Sequence, residues 1–231
     1  MKRIVVFSGA GMSADSGIKT FRDSGGLWEE YDVYEVATPE AWQKDPALVL
    51  KFYNMRRRQV LEAKPNAAHE AIARLEQAYD VQVVAQNIDD LHERAGSSSV
   101  LHLHGEILKV RGELYPDDLI EAKHDIHLGD HCPKGSQLRP HVVWFGEAVT
   151  EMSRAAAVMK TADIVLIVGT SLNVYPAAGL VHYAPSAARR YLVDPADVEI
   201  TNIHHLEVIQ ATAAIGVPQV VDRLLKEVVT V

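Results

Sequence analysis

Two short stretches hold the residues that could do chemistry. Gln86-Asn87-Ile88-Asp89 closes the apolar run Val81 to Ala85, and His104, followed by Gly105, closes the next one, Val100 to Leu103. Side-chain amides and a carboxylate at one strand end, beside an imidazole at another, can orient a polar substrate and move a proton near neutral pH. The chain also opens Ile4-Val5-Val6-Phe7-Ser8-Gly9-Ala10-Gly11-Met12-Ser13. Glycines directly after an apolar strand let backbone amides approach a pyrophosphate. A phosphate loop, an amide cluster and a histidine at the ends of one sheet point to chemistry on a nucleotide, beyond binding it. Each piece alone has a plainer reading. Gly-x-Gly is often a tight turn, and here Ala14 replaces the third glycine of the dinucleotide fingerprint. His104 alone would more often be a hydrogen-bonded structural residue, and Asp89 a cap on a helix starting near Asp90.

A sheet must gather these residues. Continuous aliphatic runs at Ile4–Phe7, Val81–Ala85, Val142–Phe145 and Ile164–Val168 have the look of buried parallel strands. Between them, Ala67–Tyr79 reads as a helix with Ala68, Ile72 and Leu75 on one face, and Pro218–Val229 as a terminal helix with Val221, Leu224 and Leu225 inward. Alternating strand and helix predicts an α/β fold, a Rossmann-type doubly wound parallel sheet. Its core would comprise about residues 1–26, 66–106 and 141–231 of one domain. Two insertions, a helical one at 27–65 and a polar, histidine-bearing one at 107–140, would form a small lobe.

Composition narrows the partners. The 231 residues carry net charge −8, from 23 Lys+Arg against 31 Asp+Glu, which gives no general footprint for nucleic acid or an anionic membrane. The longest apolar run, Ile164–Val168, is far short of a membrane span, and the opening apolar stretch lacks a signal-peptide core. The expectation is a soluble, cytoplasmic protein with neither nucleic acid nor membrane as partner. The single cysteine, Cys132, rules out an internal disulfide and any metal site built from several thiolates.

Taken in order, six blocks resemble the sirtuin family of NAD-dependent protein-lysine deacylases. They are Gly9-Ala10-Gly11-Met12-Ser13; Ser16-Gly17-Ile18 with Phe21-Arg22; Gln86-Asn87-Ile88-Asp89; His104-Gly105; Leu138-Arg139-Pro140 with Val142-Val143-Trp144-Phe145-Gly146-Glu147; and Gly169-Thr170-Ser171-Leu172. The likeness spans Gly9 to Ala213 and is nearest to bacterial members associated with acidic acyl groups. It implies a cleft between a large and a small lobe where NAD and an acylated lysine of a protein or peptide meet. The acyl oxygen would attack the nicotinamide ribose as nicotinamide leaves, giving free lysine and O-acyl-ADP-ribose. Within that scheme Asn87 and Asp89 position nicotinamide and ribose, and His104 takes a proton from the ribose hydroxyls.

Further residues follow from the same resemblance. Cofactor contacts are implied at Gly9, Ala10, Gly11, Ser13, Phe21, Arg22, Gln86, Asn87, Ile88, Asp89, Gly169, Thr170, Ser171, Asp194 and Ala213. Asp194, after Tyr191-Leu192-Val193, would accept from ribose hydroxyls and repel a 2′-phosphate, favouring NAD over NADP. Ala213 has an ordinary helix entry as its equal alternative. Val142, Val143, Trp144, Phe145 and Gly146 would meet the substrate peptide through main-chain bonds. Tyr53 and Arg56, three apart in a helical stretch, would grip an acyl carboxylate, with Ala37 widening the pocket, so succinyl and malonyl groups join acetyl as substrates. The plainer alternative makes Arg56, Arg57 and Arg58 a solvated face over a packed Tyr53. NAD hydrolysis, ADP-ribosyl transfer or a non-catalytic NAD or ADP-ribose sensor are the rival functions.

The departure from the family concerns metal. Sirtuins typically hold a structural zinc on four cysteines, but Gly112 stands where one is usual and only Cys132 remains. His124, His127, His131 and Cys132 are spaced compactly enough to offer three imidazoles and a thiolate to a tetrahedral ion, but an exposed polar insertion need not bring them together, and zinc is not expected. Ile107, Leu108, Leu114, Leu119, Ile120 and Leu128 would instead hold the lobe together by apolar contact.

Overall fold

Where an apolar run has both faces covered, its strand shows no alternation, and the computed structural model builds its main sheet from such runs. It describes residues 1–20, 31–170, 172, 174–196 and 203–229. In chain order the elements are β1 (Arg3–Ser8), α1 (Gly11–Ala14), α2 (Val33–Val36), α3 (Pro39–Lys44), α4 (Pro46–Glu62), α5 (Ala67–Leu75), β2 (Asp80–Ala85), α6 (Leu91–Arg94) and β3 (Val100–His102). Then come β4 (Gly105–Gly112), β5 (Tyr115–Glu121), β6 (Leu138–Val142), α7 (Met152–Met159), β7 (Ile164–Val168), a 3-10 helix (Ala177–Tyr183), β8 (Arg189–Val193), β9 (Leu206–Ile209) and α8 (Ala213–Val229).

Six strands run parallel in the order β3-β2-β1-β7-β8-β9. On one face Ile4, Val6, Val83 and Leu166 pack with Ile72 and Leu75 of α5 and with Val217 and Val221 of α8. On the other, Val5, Phe7, Val84 and Ile167 pack with Ala155 and Met159 of α7 and with Leu180 and Val181. Successive side chains thus enter opposite, equally dry cores, each full burial worth roughly 1.5–3 kcal/mol. The strand order reverses between β1 and β7, and in such sheets ligands bind beyond the carboxyl ends at that point.

A second sheet, β5-β4-β6, is antiparallel and packs with α2, α3 and α4 around Trp42, Val49, Phe52, Ile107, Val110, Ile126 and Leu138. The start of α4 was written locally: Asp45 accepts from Leu48 N at 3.0 Å, and Pro46 follows at the first helical position.

Four expectations need correction. The run Val142–Phe145 is not a parallel core strand; β6 stops at Val142 and belongs to the antiparallel sheet, because Val142 pairs with Gly105 and the next amides turn elsewhere. Helix α5 ends at Leu75, where the chain tightens so that Ala78 and Tyr79 both donate to the Leu75 carbonyl. Helix α8 begins at Ala213, five residues before Pro218; Gly216 N donates to Thr212 O at 2.9 Å, and the proline lies within the helix. In the small lobe Ile107 and Leu108 are buried and Ile120 packs against the cluster, but Leu114, Leu119 and Leu128 are exposed. Val110, Ala122, Ile126, Cys132 and Leu138 fill the core in their place.

Candidate functional site

At the reversal point two glycine turns interlock. Gly9 N donates to Val168 O and Gly11 N to Gly169 O, both at 2.9 Å. A Cβ on Gly9 would lie 2.7 Å from Gly169 O and one on Gly11 2.7 Å from Gly169 Cα, so neither position admits a side chain. Gly169 itself has φ +58°. The short α1 carries Ser13 inward, 1% exposed, with Ala10 at its entry. Asp194 follows β8 one step along the sheet, where Gly169 N donates to Val193 O at 3.0 Å; its carboxylate accepts from Ala196 N at 2.9 Å. Ala213, 3% exposed, opens α8 near this edge, and the next amide, Ala214 N, donates to Asp15.

The loop after β2 is tied down by its own polar side chains. Gln86 Nε2 donates to Thr170 Oγ1 at 3.1 Å, linking it to the turn after β7. Asn87 Nδ2 donates to Ser13 Oγ at 3.0 Å, and that hydroxyl donates to Asp89 Oδ2 at 2.9 Å. Asp89 also accepts from Leu91 N at 3.1 Å, although the N-cap position of α6 is Asp90, so this first-turn contact and the link to Ser13 coexist in one carboxylate. Burial raises its pKa, while the Leu91 amide and the Ser13 hydroxyl pull it back down.

His104 stands just after β3 with Nδ1 2.9 Å from Gln86 O. A carbonyl only accepts, so Nδ1 carries the proton and Nε2 of the neutral ring holds the lone pair. Burial lowers the pKa of this ring and keeps it neutral, against a smaller upward pull from the Gln86 carbonyl. His102 is different. Its Nδ1 meets Asn87 O at 3.3 Å and its Nε2 meets Glu93 Oε1 at 2.7 Å, two acceptors, which the ring can satisfy together only as a cation. Burial opposes that charge, but the Glu93 carboxylate overrides it and the pKa rises.

On the other side, α4 presents Tyr53 and Arg56, each 4% exposed. Burial raises the Tyr53 pKa and lowers that of Arg56, with the Asp89 charge partly restoring the latter. Tyr53 lies within one apolar cluster with Ala37, Trp42 and Trp144, its ring 6.5 Å from the Trp144 ring. The strip after β6 is anchored amide by amide: Val143 N donates to His104 O at 2.9 Å, Trp144 N to Glu147 Oε2 at 2.8 Å and Phe145 N to Ala37 O at 3.0 Å. Trp144 is buried, Phe145 is 45% exposed, and Gly146 turns at φ +90°.

The structure therefore brings Gly9, Gly11, Ser13, Gln86, Asn87, Asp89, Gly169 and Thr170 to one edge of the sheet. His104 joins them and is tied to the Val142–Gly146 strip. Phe21, Arg22 and Ser171 lie outside the described residues. Arg56 and Arg57 are buried while the Arg58 side chain is 60% exposed, so the three arginines are not one solvated face. His124, His127 and His131 are exposed and Cys132 is buried, and among the described residues no group of three or more His, Cys, Asp or Glu could hold a metal ion. A Cβ at Gly112 would lie 2.8 Å from Cys132 Sγ, so a side chain there meets the packed thiol.

Sequence reasoning passed over two pairs. One is His102 with Glu93, nine residues apart, which no local pattern links. The other is Arg139 with Glu147: Arg139 donates to both Glu147 oxygens at 2.9 and 3.2 Å and stacks 3.4 Å from the Trp144 ring centroid. Both residues lie in one sequence block, Leu138 to Glu147, and an arginine and a glutamate within one apolar strip are the signal the sequence carries for this pair.

Comparison with known proteins agrees with this geometry. The Sir2 family model matches residues 9–176. A curated NAD-dependent protein deacylase of Bacteroides thetaiotaomicron is 52% identical over 231 residues, covering 97% of this chain and 99% of that protein. One from Helicobacter pylori is 55% identical over 195 residues, covering 84% of this chain and 85% of its own. Among solved structures, a Sir2 homologue in complex with ADP-ribose superposes with TM-score 0.90 at 37% identity, over 98% of this chain and 93% of its own. A Sir2 homologue–NAD complex gives 0.89 at 38% identity, over 98% and 91%. Family model, relatives and strand-end geometry converge: this chain belongs to the Sir2 family.

Proposed function

We propose that this protein removes acyl groups from protein lysines using NAD, and that its acyl pocket favours acidic groups such as succinyl and malonyl. The residues present fit NAD. Gly9, Gly11 and Gly169 form a side-chain-free cradle at the switch point, and the Gln86–Thr170 and Asn87–Ser13 bonds join the two halves of the edge. Gly9, Ala10, Gly11, Ser13, Gly169 and Thr170 would hold the phosphates and ribose, Asp194 the adenosine ribose hydroxyls, Ala213 the adenine side, and Gln86, Asn87, Ile88 and Asp89 the nicotinamide side. When bound, NAD supplies an electrophilic ribose carbon with nicotinamide as its leaving group.

The chain's own residues do the rest. His104 accepts a proton at Nε2 because its other nitrogen is committed to Gln86 O. Asn87 and Asp89 are held through Ser13 before any ligand arrives, so their orientation costs little on binding. Val142, Val143, Trp144, Phe145 and Gly146 form the strip for the acyl-lysine peptide. The amides of residues 143 to 145 are committed within the chain, which holds the strip's backbone in place for a peptide.

The observation that carries acyl selectivity is the burial of Tyr53 and Arg56 side by side on α4, where Arg56 feels the Asp89 charge. A buried guanidinium with a hydroxyl beside it suits a carboxylate, and an acetyl group offers neither a partner. Ala37, small and 4% exposed, adds room. The test uses acetyl- and succinyl-lysine peptides with NAD. Equal release of nicotinamide and deacylated peptide is expected, whereas nicotinamide alone would indicate hydrolysis or ADP-ribosyl transfer, and no turnover a sensor. Arg56→Met should cut the succinyl-to-acetyl ratio of kcat/KM about 10- to 100-fold, the worth of a charged hydrogen bond. An unchanged ratio would overturn the carboxylate clamp.

A further inference from the structure

Helix α4 turns Tyr53 and Arg56 toward the acyl site and carries two other polar residues, Asn54 and Arg57, which are held against the small lobe. These are 5% and 1% exposed. Burial brings the Arg57 pKa down to about 10 and Asp125 pulls it back up, so the group is still a cation at neutral pH. A buried cation is costly unless its donors are met. Arg57 Nη1 donates to Asn54 Oδ1 at 2.6 Å and Nε donates to Ile107 O at 3.0 Å. Asn54 in turn clasps one residue of the lobe on both sides, Nδ2 donating to Ile126 O at 2.8 Å and Oδ1 accepting from Ile126 N at 3.0 Å.

The Ile107 contact leads back to the chemistry. Its amide donates to Ile88 O at 2.8 Å, and Ile88 lies between Asn87 and Asp89. Two hydrogen bonds in series, Arg57 to Ile107 and Ile107 to Ile88, thus link α4 to the nicotinamide-side loop. Hydrocarbon of the same volume would fill the space but would not fix a direction, whereas a guanidinium fork sets both angle and distance.

We propose that Arg57, seated on Asn54, is a positioning residue of the acyl site that sets the distance between the Tyr53–Arg56 clamp and the Asn87–Asp89 loop. This rests on the clamp reading above. Acetyl-lysine needs only its amide end placed beside Asn87 and Asp89. A succinyl group must reach both ends at once, so a shift of α4 by a fraction of an ångström weakens succinyl binding selectively.

The experiment measures kcat and KM for acetyl- and succinyl-lysine peptides, with thermal melts, in the wild type, Arg57→Met, Arg57→Lys and Arg56→Met. Arg57→Met is expected to raise KM for the succinyl peptide about tenfold relative to that for the acetyl peptide, with kcat for the two falling alike. Arg57→Lys keeps the charge but cannot reach Asn54 and Ile107 together, so it should recover part of the loss, leaving about a threefold rise. If Arg57→Met does not fold, that threefold rise in Arg57→Lys is the deciding value. A loss shared equally by both substrates at unchanged KM, or no change in the Arg57 variants while Arg56→Met loses selectivity, removes the positioning role and leaves the clamp standing. No loss of selectivity in Arg56→Met removes the clamp itself, and the positioning proposal with it.

Discussion

His104 and His102 donate their Nδ1 protons to consecutive carbonyls, Gln86 and Asn87, at 2.9 and 3.3 Å, yet one ring is kept neutral and the other charged. Burial outweighs the upward pull of the Gln86 carbonyl on His104, while Glu93, 2.7 Å from the far nitrogen of His102, outweighs burial there. Two histidines of one strand end are thereby shifted in opposite directions, one toward the neutral ring and one toward the charged one.

For His104 the direction of the shift sets the pH dependence. A base works deprotonated, and burial lowers its pKa from 6.5, so the acid limb of the kcat/KM profile should fall below pH 6.5. His104→Gln should lose about 10²- to 10⁴-fold in kcat/KM, the usual worth of general-base catalysis, and lose that limb. A profile with its midpoint above 6.5 would contradict the burial-lowered ring.

The His102–Glu93 pair gives the opposite sign. Its folded pKa is raised from 6.5, so its stabilisation is complete below 6.5 and is lost as pH rises through the raised value. Glu93→Gln should cost about 0.5–1 kcal/mol near pH 6, modest because the Glu93 side chain is 40% exposed. That difference in urea unfolding should shrink as pH is raised toward 9.

A third pair has no place in the chemistry. His69 and His92 are buried with ring centroids 4.9 Å apart, and His92 Nε2 lies 3.1 Å from Ser8 Oγ. Burial lowers the His69 pKa to about 4 and that of His92 well below 6.5. Groups with depressed folded values stabilise above 6.5 and lose that as pH falls, here between 6.5 and about 4. Unfolding free energy should drop by roughly 1.4 kcal/mol per pH unit for each proton taken up. His69→Gln, which keeps an acceptor for Asn66 N, should flatten the slope measured between pH 6.5 and 5.

The small lobe offers a packing test. A Cβ on Gly112 would meet Cys132 Sγ at 2.8 Å and Ser136 Cβ at 3.3 Å. Gly112→Ala should destabilise by about 1–3 kcal/mol, as overpacking does. Adding Cys132→Ala to it should return much of that loss in a double-mutant cycle. Additive losses would mean that the crowding lies elsewhere.

The sequence by itself determined three of the parallel strands and the polar residues that stand at their ends. Ile4–Phe7, Val81–Ala85 and Ile164–Val168 are apolar on both faces, which only a doubly covered sheet satisfies. The glycine turns, the Gln86–Asp89 block and His104 are local strings, legible because their spacing is fixed along the chain. The terminal helix was half visible, its first turns hidden behind Pro218, a residue whose local rule favours a helix start and which here lies inside the helix.

Tertiary structure alone decided the rest. An apolar run has no label for its partner, so the sequence alone makes Val142–Phe145 a core strand; only pairing of Val142 with Gly105 makes it antiparallel and sends Val143 to the His104 carbonyl. Arg56, Arg57 and Arg58 are identical letters, and their fates differ because Ile107, Asn54 and Asp125 approach from distant parts of the chain. The same holds for the charge on His102, which depends on a carboxylate nine residues away. A charge or a buried contact is fixed by what stands within a few ångströms, and for these residues that company assembles only when the chain has folded.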